Sequence, residues 1–472
     1  MTEIGAALAA ALGPDRVAED PATLAAHRHD YWVLAHLRAR EGRLDPGPAC
    51  VVRPRSTAEV ATAVRLARRH GVAVVPWGAG SGVCGGALAP AGALVLDLGA
   101  LDQLLEVNET ALIARVQAGM KGDAYEAAVA ARGYTTGHYP QSIARSTVGG
   151  WVATRAAGQF STRYGNIEDL CLGLEAVLAS GEIVRIDPVP RASIGPSLRE
   201  LFLGSEGTLG VVTEVALRLH PLPAARRTAS FVFPAMDAGL EAIRRIVRVG
   251  WRPPLLRLYD ATETARQFSA WVPEEGCLLL VLSEGPEALV AAELAACAAE
   301  AEAGGGRPCG PEPVAHWLAE RNTVPSWEVF LAQGIVVDTI EVAATWDRVA
   351  QLYETVLASL RQVPGMLAAS AHSSHSYPQG TNLYITFAIR PAALADAEAV
   401  YLDAWGRTMD ATLAAGGAIS HHHGIGRLRV PWVAAALGTA HPLLTALKRA
   451  LDPAGLLNPG ALVGPDGGAF SP

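Results

Sequence analysis

Three glycine-rich segments in the first half of the chain constrain its fold more than any other feature of the sequence. They are PWGAGSG at residues 76–82, STVGGWVATRAAG at 146–158 and GSEGTLG at 204–210. Glycine lets a backbone approach a ligand closely and turn its N–H groups inward around an anion. Each segment by itself is also compatible with a tight turn. Three of them in one domain indicate an extended dinucleotide that lies across the domain.

The stretches between the glycine segments predict a domain of mixed helices and strands. VAVVPW and ALVLDL, on either side of the first segment, are apolar enough to be buried strands. A helix is expected between Ser56, a capping residue, and Gly71, a helix-stop residue. LLEVNETALIARVQ and LEAVLASGEIVRI each predict a hairpin. The pattern is that of an α+β domain.

The second half of the chain predicts another α+β unit. TASFVFP, LLRLYD, CLLLVLSEG, VVDTIEVA and NLYITFAI read as strands, separated by amphipathic helices such as DAGLEAIRRIVRVG. We therefore expect a helical segment at 1–45, a dinucleotide-binding domain at 46–221 and a second domain with an antiparallel sheet at 222–425. A C-terminal segment at 426–472 is expected to pack back on the first domain.

The composition excludes several classes of protein. Half of the 472 residues are hydrophobic and 18% are charged, which indicates a large core. A formal net charge of −8 argues against a nucleic-acid partner. No apolar run reaches the length of a transmembrane helix, and the N-terminus lacks the basic region of a secretory signal. The six scattered cysteines indicate reduced thiols, and we expect a cytoplasmic protein.

Three consecutive histidines, His421, His422 and His423, open the segment HHHGIGRLR at residues 421–429. They could be metal ligands, packing residues or proton acceptors. A metal site is the poorest of these, because neighbours on an extended chain point to opposite sides. Histidine titrates near pH 6.5, so a small shift of its pKa makes it a proton acceptor at neutral pH.

The glycine segments resemble those of a known family. VVPWGAGSGVCGGAL, STVGGWVATRAAGQFSTRYGNIEDL and LFLGSEGTLGVVTEVALRL are similar to the FAD-binding domain of the vanillyl-alcohol oxidase/p-cresol methylhydroxylase flavoproteins. The resemblance covers about residues 46–221 and implies a two-domain flavoprotein with a cap domain. Family members with covalent flavin often have a histidine near the first segment. Ser81 and Cys84 stand there instead, so we expect FAD to be bound without a covalent link.

The resemblance also implies a set of FAD contacts, in which the first segment and residues 141–147 hold the pyrophosphate. Later residues would contact the isoalloxazine, ribitol or adenosine portions. The implied contact residues are Pro76, Trp77, Gly78, Ala79, Gly80, Ser81, Gly82, Gln141, Ser142, Ser146, Thr147, Gly150, Thr154, Arg155, Ala156, Ala157, Glu206, Gly210, Val211 and Val212.

Two branches of the family differ in what they imply for the second domain. The D-2-hydroxyacid dehydrogenases have HxGDGNLH and GEHGxG motifs that can ligate a divalent metal. The matching segments here are HSYPQGTNLY and HHHGIG, in which Tyr384 and His422 replace two of the ligands. A phenol with a pKa near 10 is a poor ligand at neutral pH. We therefore expect no metal.

The alkylglycerone-phosphate synthase branch resembles residues 25–460 more fully. Its HHHGxGKLR motif is matched by HHHGIGRLR, its catalytic tyrosine by Tyr384 and its phosphate-binding arginine by Arg257. Gln141 stands where that branch has an acid, and Trp327-Glu328 where it has an Arg-Asp pair.

The resemblance to this branch implies a catalytic set of Tyr384, His421, His422, His423 and Arg257. His422 would remove a proton from the carbon that bears an acyl ester, and a fatty alcohol would replace the acyl group without net oxidation. The alternatives are oxidation of a 2-hydroxy acid or other alcohol, and a flavin-binding protein without turnover. We expect a small-molecule substrate, including a lipid-like one, peripheral membrane contact and a homodimer.

Overall fold

The computed structural model describes residues 1–464, so the last part of the predicted segment 426–472 lies outside the described residues. Helices and strands alternate in the first half as the sequence predicts. These elements are α1 (Glu3–Leu12), β1 (Val17–Ala18), α2 (Pro21–Ala26), α3 (Val33–Arg40), β2 (Cys50–Val52), α4 (Thr57–His70), β3 (Val74–Trp77), β4 (Leu94–Asp97), β5 (Leu104–Asn108), β6 (Ile113–Gln117), α5 (Gly122–Ala130), β7 (Tyr134–Thr135), α6 (Val148–Thr154), α7 (Ser161–Tyr164), α8 (Ile167–Leu170), β8 (Cys171–Val177), β9 (Ile183–Ile186), β10 (Val211–Arg218) and β11 (His220–Pro221).

Two main sheets build this first half. One has the strand order β1-β2-β4-β3, with β2, β4 and β3 parallel, and the other is the antiparallel sheet β5-β6-β10-β8-β9. Helix α4 shows why the local prediction is confirmed. Ser56 Oγ accepts the N–H of Glu59 at 3.2 Å, and Gly71 ends the helix with a φ of 63°, in the left-handed region that glycine adopts readily.

The second half contains the elements β12 (Ala225–Phe233), α9 (Met236–Arg248), β13 (Leu255–Tyr259), α10 (Ala261–Phe268), β14 (Cys277–Gly285), α11 (Glu287–Ala303), β15 (Arg307–Pro308), α12 (Glu312–Glu320), α13 (Trp327–Leu331), β16 (Val336–Thr345), α14 (Val349–Leu360), β17 (Met366–Ser373), β18 (Gly380–Ile389), α15 (Ala397–Ala414), α16 (Val430–Leu437) and α17 (His441–Leu451). Its strands form one antiparallel sheet in the order β15-β12-β14-β13-β17-β18-β16. The predicted antiparallel sheet is therefore confirmed, with β15 and β17 as two additional strands.

This seven-stranded cap sheet has one face against its own helices and the other toward the first half. Leu256 and Leu258 of β13 join the large apolar cluster that includes Ile243 of α9. Leu255 and Tyr259 point the opposite way and pack in a cluster with Phe160. Alternate residues of a strand face opposite sides, so the second face of the sheet closes the space between the two halves.

The C-terminal segment returns to the first half of the chain. Val74 of β3 donates its N–H to the carbonyl of Leu456 at 2.9 Å and accepts the N–H of Asn458 at 2.8 Å. The stretch Val430–Leu451, formed by α16, a short 3₁₀ turn and α17, was not predicted as a membrane element. Its length of 22 residues and its mean hydropathy of 1.3 would allow it to cross a membrane. Gly438, with a φ of 51°, separates its two helices.

Candidate functional site

A cavity of about 960 Å³ lies between the glycine segments and the second face of the cap sheet. Every residue predicted to contact the cofactor lines this cavity except Arg155. Every residue predicted to be catalytic lines it except His421. The structure therefore brings together side chains that lie more than 300 positions apart in the sequence, and the two exceptions have structural explanations.

The first two glycine segments touch each other and fit a bulky, anionic cofactor such as FAD. Thr147 caps α6 by accepting the N–H of Gly150 at 3.3 Å. A Cβ atom on Gly78 would lie only 2.5 Å from Thr147 Oγ1, and one on Gly82 would lie 3.0 Å from Asp30 Oδ2. The close packing leaves a wall made largely of backbone, which is the kind of surface that can hold a pyrophosphate.

Arg155 lies outside the cavity because of its backbone conformation. It ends α6 with a φ of 53°, and its half-exposed side chain forms an ion pair with Glu168 at 3.3 Å. No described contact directs this side chain toward the cavity, and the Arg155 contact with FAD inferred from the resemblance stays a prediction without structural support.

Glu206 of the third glycine segment lines the cavity, but its carboxylate is directed at another part of the chain. Oε1 accepts the N–H of Ile425 at 2.6 Å and Oε2 accepts the N–H of Gly426 at 2.8 Å. Burial raises the pKa of this carboxyl group to about 7. Glu206 thus links the cofactor side of the cavity to the loop that follows the three histidines.

The register of the cap sheet places four polar residues in one row across four strands. Glu341 of β16 is paired with Tyr384 of β18, Tyr384 with His372 of β17, and His372 with Tyr259 of β13. Paired residues on neighbouring strands project from the same face. The rings of His372 and Tyr384 stack at 4.9 Å with an angle of 16° between their planes.

The polarity of the cavity wall changes along these strands. Two positions beyond the first row lies a row of hydroxyl groups, formed by Thr339, Thr386 and Ser370. Two positions farther lies a row of small apolar side chains, formed by Val337, Ala388 and Ala368. Aromatic residues of the cap, Trp327 and Phe330, also line the cavity. The wall is therefore polar near the histidines and apolar away from them.

Arg257 stands beside the first row without an ion pair to any carboxylate in the described chain. Its Nη2 donates to Nε2 of His372 at 2.6 Å and its Nε donates to the hydroxyl of Tyr259 at 2.7 Å. Nδ1 of His372 donates to Oε2 of Glu263 at 2.8 Å. Burial, followed by the charge of Arg257, lowers the pKa of His372 to about 4. His372 is consequently neutral, and the Arg257 charge is available to an anion in the cavity.

The histidine loop places two of its three rings at the cavity. His422 stacks on Tyr384 at 5.9 Å with an interplanar angle of 20°, and His423 meets the same ring edge-on at 5.4 Å. Burial lowers the pKa of His422 to about 3 and that of His423 to about 4. Both are therefore neutral at neutral pH, as expected for a proton acceptor. Burial raises the pKa of Tyr384 to about 12, so its hydroxyl remains protonated.

His421 turns away from the cavity and joins a group of three histidines. Its Nε2 lies 2.8 Å from the hydroxyl of Tyr377, and its ring stacks on His375 at 5.0 Å. His375, His421 and His422 each bring a ring nitrogen within 4.8 Å of the others. The argument that neighbouring histidines must point apart is wrong here, because residues 421–423 form a bend and not an extended strand. Three imidazoles suit several transition metals, and the absence of a metal stays a prediction.

Several residues of the site were not identified from the sequence. His372 and Glu263 hold Arg257 in place, and Glu341 and Arg429 support the histidine loop. The only sequence signal for His372 was its alternation with the serines of ASAHSSHS, a pattern rich in alanine and serine that gives a weak strand prediction. Arg429 ends the HHHGIGRLR segment but was given no role, and Glu263 and Glu341 carried no signal that distinguishes them from surface charges.

Comparison with known families agrees with this geometry. The FAD binding domain family matches residues 48–187, and the C-terminal domain of FAD linked oxidases matches residues 222–462. An Escherichia coli (strain K12) protein described as the uncharacterized FAD-linked oxidoreductase YgcU is 33% identical over 441 residues, which cover 88% of this chain and 89% of that protein. Alkyldihydroxyacetonephosphate synthase of Caenorhabditis elegans is 30% identical over 466 residues, which cover 91% of this chain and 78% of the synthase.

Solved structures give the same result at the level of the fold. An alkyldihydroxyacetonephosphate synthase superposes with a TM-score of 0.81 at 25% identity, covering 97% of this chain and 84% of the other. p-Cresol methylhydroxylase with substrate bound superposes with a TM-score of 0.77 at 15% identity, covering 97% and 96%. From these family matches and relatives, this chain belongs to the vanillyl-alcohol oxidase/p-cresol methylhydroxylase family of FAD-dependent enzymes.

Proposed function

We propose that this FAD-dependent enzyme exchanges the acyl chain of an acyl-dihydroxyacetone phosphate, or a close analogue, for an alkyl chain. The observation that carries the proposal is the composition of one cavity wall. A cation without a carboxylate partner, Arg257, a protonated phenol, Tyr384, and a neutral imidazole, His422, stand at its polar end. An apolar surface continues from them. A substrate that carries both an anionic head group and a hydrocarbon chain fits a cavity wall that is polar at one end and apolar at the other.

Arg257, His422 and Tyr384 have separate roles in the proposed reaction. Arg257 binds the phosphate, in the orientation fixed by its bonds to His372 and Tyr259. His422 accepts, at Nε2, the proton from the carbon that bears the acyl ester, in the tautomer whose Nδ1 carries the hydrogen shared with Nδ1 of His421. Tyr384 donates a hydrogen bond, here to Thr339 Oγ1 at 3.0 Å. When bound in this cavity, FAD would supply an electron-accepting ring beside the substrate.

The apolar end of the cavity supports a lipid-like substrate. Val337, Ala368 and Ala388 present small side chains at the wall, and Trp327 and Phe330 present large ones. Burial of apolar surface contributes roughly 0.8 kcal/mol per CH₂ group. A long chain would thus add substantially to the binding of a substrate whose head group is held by one arginine.

Oxidation of a 2-hydroxy acid is the second candidate, and it is favoured because Arg266, the other arginine near Arg257 in the cavity lining, already pairs with Glu263 at 3.5 Å. A phosphate dianion is best held by several cations. Arg321, which lies a few residues before Trp327-Glu328, the position of the expected second cation, donates to Gln159 Oε1 at 3.3 Å and lies over Tyr139 and Phe160, outside the cavity lining. A monoanionic carboxylate would need Arg257 alone. In this reaction His422 would take the hydroxyl proton.

The remaining expectations are proposals as well. The exposed surface of Val430–Leu451 supports peripheral contact with a membrane, from which a lipid-like substrate could enter. The homodimer, the cytoplasmic location and the role of this enzyme in ether-lipid synthesis stay predictions.

An anaerobic absorbance titration tests the two reactions against each other. A transferase returns oxidised flavin after each cycle, so acyl-dihydroxyacetone phosphate with a fatty alcohol should give an alkyl product without lasting loss of the flavin absorbance. A dehydrogenase loses its flavin absorbance when substrate is added and recovers it with an electron acceptor. Stoichiometric bleaching by a D-2-hydroxy acid, without alkyl product from the phosphate ester, would replace the proposal by the second candidate.

A further inference from the structure

The histidine loop is attached to both halves of the molecule through its backbone N–H groups. Glu341 of the cap strand β16 accepts the N–H of His423 at 2.7 Å and also that of His421. Glu206 of the third glycine segment accepts two further N–H groups, those of Ile425 and Gly426. Two carboxylates thus take up four donors within six residues, and each comes from a different half.

Glu341 is held as a charged acceptor. Its side chain and that of Arg429 are both 0% exposed, and Arg429 Nη1 donates to Glu341 Oε1 at 2.9 Å. Burial acts to raise the pKa of Glu341, but the charge of Arg429, together with the hydrogen bond from the His421 N–H, holds it well below its usual range. Hydrogen bonds to an ionised acceptor are about twice as strong as those between neutral groups. The loop is therefore firmly attached at this point.

The position of Glu341 in the sheet connects the loop to Tyr384. The two residues are paired across β16 and β18. His422 lies between the two residues whose N–H groups Glu341 accepts, and the His422 ring stacks on Tyr384. One carboxylate accordingly fixes the backbone on both sides of His422 and does so from the strand pair that carries the phenol.

We propose that Glu341 is a positioning residue that sets the orientation of the His422 ring against Tyr384. The inference rests on the proposed function of His422 as the proton acceptor. A glutamine at this position offers one carbonyl oxygen and an NH₂ group, so it can accept only part of the bonds and leaves Arg429 without a charged partner. A displacement of about 1 Å in a catalytic group can lower a rate by about 10².

The test compares Glu341→Gln with Glu284→Gln in the FAD-bound enzyme. Glu284 is a matched control because it is a buried carboxylate of the same sheet, 2% exposed, that pairs with Arg226 and Tyr164 outside the cavity. Hydrogen exchange of the peptide covering residues 419–429 should become about tenfold faster in Glu341→Gln and remain unchanged in the control. At equal FAD content, kcat should fall by about 10² while KM changes little.

Each result decides the inference. Unchanged exchange in the loop, or an unchanged kcat despite faster exchange, would overturn it. If Glu341→Gln does not bind FAD, Glu341→Asp, which keeps the charge but shortens the side chain, should show intermediate exchange and kcat, and wild-type values for both would overturn the inference.

If the proposed function is wrong, the experiments give a different result from the one expected if only the role of Glu341 is wrong. The wild-type enzyme would then turn over neither acyl-dihydroxyacetone phosphate nor a 2-hydroxy acid. In that case two measurements that need no turnover test the positioning role of Glu341. They are the hydrogen exchange of the peptide covering residues 419–429 and the rate at which diethyl pyrocarbonate modifies the histidines. Both should rise in Glu341→Gln, and wild-type values for both would overturn the positioning role independently of the reaction.

Discussion

Arg257 donates a hydrogen bond from Nη2 to Nε2 of His372 at 2.6 Å, and this bond fixes which histidine nitrogen carries the proton. Nε2 must be the acceptor, so the hydrogen resides on Nδ1 and is donated to Glu263. The chain of three residues directs a positive charge into the cavity without neutralising it. This pairing turns an arginine that the sequence alone would assign to an ordinary ion pair into a candidate anion-binding group.

Replacement of Arg257 by lysine should weaken the binding of an anionic substrate while FAD remains bound. Lysine keeps the charge but loses the planar donor set that bonds His372 and Tyr259 at the same time. We expect KM to rise about 10- to 100-fold, in line with the loss of a charge-assisted hydrogen bond worth roughly 1.5–3 kcal/mol. Steady-state kinetics measure this. Arg252→Lys, in a cap arginine that bonds backbone carbonyls outside the cavity, is the control, and equal KM values for the two variants would contradict the anion-binding role.

Replacement of His422 by alanine should lower kcat by about 10² to 10⁴, the usual contribution of a general base. FAD content should stay at the wild-type level, because His422 contacts Tyr384 and its neighbouring histidines rather than the glycine segments. Turnover and the flavin absorbance of the purified variant measure the two effects. His220→Ala, at a partly buried position outside the cavity, should retain activity. Loss of flavin from His422→Ala would show a structural role instead.

The pH dependence of kcat should show no limb from His422 or Tyr384 between pH 5.5 and 9, so a limb near pH 7 would come from Glu206, whose pKa burial raises to about 7. Burial places the pKa of His422 at about 3 and that of Tyr384 at about 12. Because the histidine pKa is lowered, the base remains neutral as the pH falls to 5.5. Because the tyrosine pKa is raised, the phenol remains protonated as the pH rises to 9. Rates at saturating substrate test this, after correction for ionisation of a substrate phosphate near pH 6. A limb with a pKa near 6.5 that persists in Glu206→Gln would contradict the buried, neutral state of His422.

Replacement of Ala388 by phenylalanine should discriminate between long and short substrates. Ala388 lies between Val337 and Ala368 in the apolar row, where a larger side chain would fill the cavity. We expect KM for a long-chain acyl substrate to rise at least about tenfold, which corresponds to losing the burial of roughly two CH₂ groups. A short-chain substrate provides the internal control. An equal change for both chain lengths would place the hydrocarbon elsewhere.

Treatment with a chelator should leave activity unchanged. His375, His421 and His422 form a group that could hold a metal, but each has a hydrogen-bond partner within the site. Nδ1 of His421 and Nδ1 of His422 are 2.8 Å apart, a distance at which they share a proton. Activity and metal content should be measured before and after dialysis. Activity that disappears with the metal and returns with zinc or manganese would show that the group is a metal site.

Local sequence patterns predicted much of the fold. Caps such as Ser56 and Gly71, the two hairpins of the first half and five strands of the cap sheet follow from short-range patterns. Strand β17 was missed because MLAASAHS is rich in alanine and serine, which have little preference for strands. Arg155 was included among the cofactor contacts because a motif does not reveal that a left-handed residue turns its side chain toward Glu168.

The sequence by itself determined the family, the dinucleotide-binding glycine segments and the candidate role of the histidine tract, because these depend on residues close together in the chain. Only the tertiary structure decided which residues share a wall of the cavity. The row Glu341-Tyr384-His372-Tyr259 joins four strands, and its members become neighbours through backbone pairing that no local pattern specifies. Burial in that row then shifts the pKa values of His372, Tyr384 and His422, because removing an ionisable group from water disfavours its charged form.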